Sequence, residues 1–491
     1  MSPYQHDKED EGDGNDAGEQ VRVFLTLAAE CLDRSLEVST EPIAVPADIG
    51  RKGLSAVINH LLERGVLDED AEDAEDDESR LPALAFDFIL GTNHKLLRTG
   101  VEREARRSGM SLEEAISITY FPAQEAPDLT GESEPLPDWI SGMSFVTSSK
   151  TSLLCTATYD GSIQVYRPST DGSDKSVALQ KVATKAEVHS GPIKCLDAAS
   201  DKDSLVWIAS GSMDHSLALH SLDPTTDVLN KYATCVGGHA SAIGSVDIWS
   251  NDKLLASGDW DGGVCIWDFS KAPEEPMEEE HSKKKTKTAS ASVSKKAGLK
   301  TLAPMYSIQA HSSKVSGVSF GNFEKKSKSA QRQLITGSWD HSLKVWDISR
   351  QDCLLTLNGS RVISCLDTSH HSPGVVATGH PDCMVRLWDV RTDDSRGSSL
   401  AVSDNTFKPS HNAWISSVQW SLRDPYQLAS TSHDGTIKLW DIRSSLPLHT
   451  VRAFPKAEKG LCLAFGEGER SGGFLLGGGT DCIVKQFNTG N

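Results

Sequence analysis

A chain of 491 residues, 38% apolar and with a net charge of −20, has room for two or three domains and for packed cores. It holds no apolar run of about 18 residues, so no membrane-spanning helix is expected, and its acidic start lacks the basic and apolar parts of a secretory signal. Residues 1–19 carry −6 and residues 68–79 carry −9, so the rest is nearly neutral and total charge gives no support for a phosphate-binding surface.

Taken in chain order, residues 1–19 read as a disordered acidic tail. A small domain follows at 20–121. QVRVFLTL alternates as a strand, and SLEVSTEPIAVP reads as its hairpin partner. RKGLSAVINHLLERG places Leu54, Val57, Ile58, Leu61 and Leu62 on one helical face. DEDAEDAEDDES at 68–79 reads as a disordered acidic insert. ALAFDFIL, KLLRTG, a polar helical piece and the strand AISITYF complete a ββαββ order, which predicts a ubiquitin-like α+β roll. It ends Tyr120-Phe121-Pro122 without a Gly-Gly tail, so it reads as a binding module and not as a conjugated modifier.

From Trp139 onward the chain repeats. Asp160, Asp214, Asp261, Asp340, Asp382, Asp434 and Asp481 are each followed six residues later by Tyr166, His220, Trp267, Trp346, Trp388, Trp440 and Phe487. Four residues before each aspartate stands Thr156, Ser210, Ser257, Thr336, Thr378, Ser430 or Gly477. Each unit reads as strand, tight turn, strand, with Asp-Gly at 261–262 and 434–435 suiting a hairpin. The period and the Trp-Asp pairs at 267–268, 346–347, 388–389 and 440–441 resemble WD40 repeats, predicting a mainly β, seven-bladed propeller over 139–491. Residues 122–138 are the linker and the natural donor of the strand that closes the last blade.

The WD40 resemblance implies a hydrogen-bonded chain of loop histidine, turn aspartate, strand Ser/Thr and tryptophan inside a blade. It would be His239, Asp261, Ser257 and Trp267 in blade 3; His311, Asp340, Thr336 and Trp346 in blade 4; and His411, Asp434, Ser430 and Trp440 in blade 6. Blades 1 and 7 lack the tryptophan, blade 2 has His220 in its place, and blade 5 has Arg361 near the expected histidine, so these should be less firmly pinned. Ser, His and Asp recurring at the blade period argue for structure rather than for a catalytic triad, which occurs once. No catalytic residue and no cofactor is expected. The ten cysteines show neither C-x-x-C nor zinc spacing, and Cys195, Cys365 and Cys462 recur in one repeat context as small apolar residues.

Tyr159, Met213, Trp260, Trp339 and His433, each just before a turn aspartate, are candidate partner-binding residues on the turn face. A segment at 270–303 leaves from the opposite face and is expected to be disordered. Its Lys283, Lys284, Lys285 and Lys287, with Lys295 and Lys296, form a candidate nuclear-import signal.

GLSAVINHLL at 53–62, FDFIL at 86–90, LLRTG at 96–100 and SLEEAISITY at 111–120 resemble the Notchless-like domain. Joined to such a propeller, that domain resembles the WD-repeat ribosome-biogenesis factors of the pescadillo-containing (PeBoW) complex. The resemblance implies a non-enzymatic scaffold of the nucleus, in nucleolus and nucleoplasm, acting in pre-rRNA processing and maturation of pre-60S particles. Its implied partners are the propeller of the block-of-proliferation subunit, pescadillo through the same complex, and the AAA-type ATPase midasin. It also implies that Glu113 completes, in trans, the coordination of the metal in midasin's MIDAS domain, with Glu114 as its neighbouring competitor. The alternative is a ubiquitin-pathway adaptor or ligase substrate receptor, which shares both domain types. A hydrolase fails for want of a unique nucleophile–base pair.

Overall fold

The computed structural model describes residues 20–65, 81–147, 152–168, 179–270, 300–321, 333–391 and 411–489, save short gaps at 30, 32, 92–94, 203–204, 445 and 469–471. The acidic segments, the lysines at 283–296 and nearly all of 270–303 lie outside these residues. The chain divides into two compact units, 1–123 and 124–491.

In the first unit, β1 (Gln20–Leu27) and β2 (Ile43–Pro46) form an antiparallel hairpin, followed by helix α1 (Arg51–Leu61). Then come β3 (Phe86–Leu90), helix α2 (Val101–Arg107) and β4 (Ile116–Pro122). The sheet order is β2-β1-β4-β3, with β1 and β4 parallel at the centre and β3 antiparallel to β4. Alternation along β1 sends Val21, Val23 and Leu25 inward, and α1 covers them with Leu54 and Ile58. Val57 and Leu62 pack at the rim, whereas Leu61, in the last helical turn, stays exposed. Polar groups fix the packing of α1. Ser55 Oγ donates to Phe86 O and accepts from its N–H, and Asn59 Nδ2 donates to Leu84 O at 2.7 Å. Buried Tyr120 ties β4 to the β1–β2 connection, its hydroxyl donating to Leu36 O at 2.7 Å and accepting from Val38 N at 3.0 Å.

The second unit holds seven sheets among the described residues. Their first strands are Ile140–Thr147, Ile193–Ser200, Ile243–Trp249, Val315–Gly321, Cys365–Thr368, Ile415–Trp420 and Gly460–Gly468. Each lies beside the next, and the seventh beside the first, so the sheets close into a propeller ring. The residue after each turn aspartate is left-handed in all seven: Gly161, His215, Gly262, His341, Cys383, Gly435 and Cys482. At Gly262 a Cβ would stand 2.1 Å from His311 O, so glycine is required there sterically as well. Before blade 1, β5 (Asp128–Glu132) pairs antiparallel with Lys485–Asn488, the last strand of blade 7. The end of the 270–303 segment departs from the expectation of disorder. Thr301–Leu302 pair parallel with the outer strand of blade 2, Val228–Cys235, where Leu302 is buried.

A chain of inter-blade hydrogen bonds runs around the inner strands. Ser144 Oγ accepts from Ala198 N at 3.1 Å, Asp197 from Ile248 N at 2.8 Å, and Asp247 from Phe320 N. Ser319 and Thr368 join hydroxyl to hydroxyl at 2.9 Å, Asp367 accepts from Trp420 N at 2.7 Å, and Gln419 from Phe465 N at 2.9 Å. Blade 7 carries Ala464 at this register and has no side-chain acceptor to offer.

Candidate protein-interaction sites

Inside the blades the polar residues form directed chains. In blade 4, Trp346 Nε1 donates to Thr336 Oγ1 at 2.9 Å, which meets His311 Nε2 at 2.8 Å, and His311 Nδ1 reaches Asp340 at 3.0 Å. Blade 6 repeats this through Trp440, Ser430, His411 and Asp434. Burial lowers the pKa of His311 and His411, so each imidazole is neutral, with Nε2 accepting from the hydroxyl and Nδ1–H donating to the carboxylate. Burial alone would raise the Asp340 and Asp434 carboxyls. The hydrogen bonds they accept outweigh it and hold both below the usual range.

Blade 3 corrects the assignment of Asp261. His239 Nδ1 reaches Asp259 at 2.8 Å while Nε2 meets Ser257 Oγ at 2.6 Å, and Trp267 Nε1 donates to the same hydroxyl at 2.8 Å. Asp259 also accepts from the N–H of Asp261 and of Gly263. In blade 4 that work is divided between Ser338, which accepts from Asp340 N, and Asp340, which accepts from Ser342 N. Blade 3 has Asp in place of Ser338 and Gly in place of Ser342, so one carboxylate takes both tasks and Asp261 is left exposed at the turn.

Blade 5 is pinned by a residue that the repeat pattern missed. His380, at the end of the second strand, bonds Thr378 Oγ1 at 2.8 Å and donates from Nδ1 to Val362 O at 2.7 Å, and Trp388 Nε1 donates to Thr378 at 2.7 Å. Asp382 is paired bidentately with Arg386 and approached by Arg361 at 3.5 Å. Blade 2 has His189 between Ser210 and Ser216, but His220 at the tryptophan position is fully buried and neither of its ring nitrogens has a hydrogen-bond partner among the described residues.

The turn face is where the candidate binding residues gather. Tyr159, Met213, Trp260, Trp339 and His433 each donate a backbone N–H to the residue at the start of their own blade: Trp139, Pro192, Ala242, Lys314 and Trp414 respectively. Met213, Trp260 and Trp339 are 37%, 36% and 39% exposed, and Tyr159 and His433 are half-buried. Sequence reasoning missed Trp139 and Trp414, 47% and 49% exposed, which the fold brings to the same ring. It also missed Lys194 and Lys314. Lys194 Nζ donates to Tyr159 Oη at 2.9 Å, and Lys314 Nζ lies 4.3 Å from the Trp260 ring and 5.1 Å from that of Trp339.

In the first unit Glu113 is exposed in the bend that precedes β4, its N–H donating to Ser111 Oγ at 3.2 Å, with Glu114 equally exposed beside it. Among the described residues no group of three His, Cys, Asp or Glu is placed to hold a metal ion, and no helix is long and apolar enough to cross a membrane. Cys195, Cys365 and Cys462 line the central channel, their thiols pushed up in pKa by burial, which keeps them protonated and unreactive at neutral pH.

Fold and repeats define the class, a WD-repeat propeller protein with a small N-terminal α+β domain. Residues 24–103 match the NLE (NUC135) domain, and 230–268, 302–347, 351–389 and 402–441 match the WD domain, G-beta repeat. These four repeats are the ones that end in Trp-Asp.

The particular kinship lies in whole-chain relatives. A "Ribosome biogenesis protein WDR12 homolog" from Chlamydomonas reinhardtii is 29% identical over 96% of this chain and 98% of its own length. The protein of the same name from Oryza sativa subsp. japonica is 28% identical over 97% and 99%. A "Ribosome biogenesis protein YTM1" from Lodderomyces elongisporus is 27% identical over 89% and 91%. The chain thus matches, from end to end, a WD-repeat ribosome-biogenesis factor with a Notchless-like N-terminus.

Proposed function

We propose that the chain is a non-enzymatic assembly factor of the 60S ribosomal subunit, working in nucleolus and nucleoplasm. Its propeller holds the propeller of the block-of-proliferation subunit, and through it pescadillo. Its ubiquitin-like domain engages the MIDAS domain of midasin, so that ATP-driven pulling frees the subcomplex from pre-60S particles. The observation that carries the reading is the near full-length likeness to proteins named for ribosome biogenesis, with both units present in the same order.

Glu113 fits the role in trans. Its carboxylate is exposed, has no ion pair among the described residues, and stands on a bend held by Ser111. A hard divalent ion in the partner, with one coordination site open, takes such an oxygen directly. Glu113→Ala should abolish capture of the isolated MIDAS domain in magnesium buffer while leaving capture of the block-of-proliferation propeller unchanged. Undiminished MIDAS binding by this variant, with Glu114→Ala defective instead, would move the role to the neighbour. Equal binding by both single variants and by the double variant would remove it.

A further inference from the structure

The inference rests on the reading that the propeller holds a protein partner, and it concerns the chemistry of the face. We propose that the turn face docks a partner protein segment that sets one carboxylate side chain against Lys314 and Lys194 at the mouth of the central channel, with apolar residues on either side of it.

Lys314 is the centre of the argument. Its ammonium contacts two indole faces, at 4.3 and 5.1 Å, and has no carboxylate partner among the described residues. The site is built for it. Gly244 lies against the lysine stem, and a Cβ there would stand 3.2 Å from Lys314 Cε and 3.3 Å from Trp260 Cδ1. Burial and then the neighbouring Lys194 bring the Lys314 pKa down to about 8, and neither ammonium has an ion pair among the described residues. Burial, then Lys459 and Lys194, lowers the pKa of His433, and Lys459 stands at the matching place in blade 7, its carbonyl accepting from Thr480 N. An incoming carboxylate relieves the repulsion between Lys194 and Lys314 where the indoles have already removed much of the water.

Trp139, Met213 and Trp414 supply the exposed apolar flanks, 47%, 37% and 49% exposed. A protein segment fits better than a nucleic acid. Asp160 and Asp261, both exposed, directly follow Tyr159 and Trp260 in the ring, so a run of phosphates crossing the mouth would meet negative charge on leaving it.

The test uses the full chain, immobilised, and a random peptide library displayed on phage. Selected peptides are synthesised, together with versions carrying Gln or Asn for each Glu or Asp, and titrated against wild type, Lys314→Met and Lys194→Met. A single-stranded polyuridylate is titrated in parallel. Peptides sharing one acidic position are expected, with binding weakened at least about tenfold both by the amide replacement and by Lys314→Met. Lys314→Met should keep the wild-type melting temperature, because methionine retains the stem against Gly244. If no peptide is selected, if the amide versions bind as well, or if Lys314→Met binds like wild type, the proposal falls. If polyuridylate binds more tightly than the peptides and loses affinity in Lys314→Met, the face reads RNA and the proposal also falls. None of these readouts involves the block-of-proliferation subunit. Intact capture of that subunit alongside a failed selection therefore overturns the face chemistry alone.

Discussion

Blade 3 offers two carboxylates two residues apart, Asp259 at the end of a strand and Asp261 in the turn that follows, and the structure assigns them unequal work. Asp259, with its side chain 7% exposed, accepts from His239 Nδ1–H and from two backbone N–H groups. Replacing it by alanine strands three partly buried donors. At about 1 kcal/mol for each, the loss is about 3 kcal/mol. For a propeller of this size that is a fall of about 3–6 °C in melting temperature. Asp261→Ala removes an exposed carboxylate with no such task and should cost less than about 0.5 kcal/mol. In blade 4 the order is reversed, since Asp340 there does the work, and Asp340→Ala should behave like Asp259→Ala. Thermal unfolding followed by tryptophan fluorescence compares the three variants directly. The pH dependence adds a second check. Burial raises the Asp259 carboxyl, but the His239 and Gly263 hydrogen bonds outweigh it, so the folded-state pKa lies below 3.8. Its stabilisation is therefore complete above that value and fades as pH falls through the folded pKa, where the gap between wild type and Asp259→Ala should close. Equal melting temperatures for Asp259→Ala and Asp261→Ala, or a larger fall for Asp261→Ala, would refute the assignment.

His220 occupies a fully buried site with both nitrogens unpartnered, and burial first, then Lys231, brings its pKa down to about 3. His220→Phe, the residue type that blade 7 uses at Phe487, should raise stability by about 1–2 kcal/mol. It should also flatten the loss of stability that wild type shows as pH falls from 6.5 toward 3, where only the unfolded histidine takes up a proton; denaturation midpoints at neutral and acid pH measure both. Asp367 has the opposite sign. Burial in the channel wall lifts its carboxyl to about 6, so ionisation above that pH penalises the folded state. Asp367→Asn keeps an acceptor for Trp420 N and should gain about 1–2 kcal/mol at pH 7 once water in the channel is allowed for. The gain should vanish below 3.8, where the carboxyl is neutral in both states. A gain that persists unchanged at low pH would assign the effect to packing instead of charge.

The ring of sheets was legible because its signal is periodic. The aspartate–aromatic spacing and the Trp-Asp pairs mark one hairpin seven times, and the alternation of β1 and the face of α1 mark the smaller unit as clearly. What was not legible follows from the same physics. Asp259 ends its strand and Asp261 lies in the turn two residues on, so sequence spacing cannot say which carboxylate a loop histidine meets. Only the loss of hydroxyls at 259 and 263 decides it. His380 escaped because it enters its network from a strand end, two residues from Thr378, and not from the loop that supplies His239, His311 and His411. Lys194, Lys314, Trp139 and Trp414 carry no mark in the sequence. They stand where inner strands begin, positions filled in other blades by Pro192, Ala242 or Gly244. Pairing within a blade sets Trp139 on Tyr159 and Lys314 on Trp339, and packing between blades brings Lys194 to Tyr159 and Lys314 to Trp260.

Closure of the ring also depends on the segment that joins the two units. Blade 7 lacks the side-chain network of blades 3, 4 and 6. It has no histidine or tryptophan, Ala464 offers nothing to the inner chain of hydrogen bonds, and Gly477 and Gly479 stand where most other blades carry hydroxyl residues. Its outer edge is supplied by β5, and the following residues continue the seam. Ser133 exchanges two hydrogen bonds with Val484, both at 2.9 Å, and Leu136 N donates to Cys482 O at 2.8 Å. The segment that leaves the small unit at Ala123 therefore enters the propeller as its closing strand. Under the proposed function, force applied to the ubiquitin-like domain travels along the backbone first to Gln124, which bonds Thr489 O and the blade 6 residues Gln427 and His449, and then into that strand. An antiparallel pairing loaded from one end opens bond by bond. The run of paired residues from Asp128 to Leu136 then sets how much chain must be drawn out before the ring is breached, while the strength of each successive bond sets the pull.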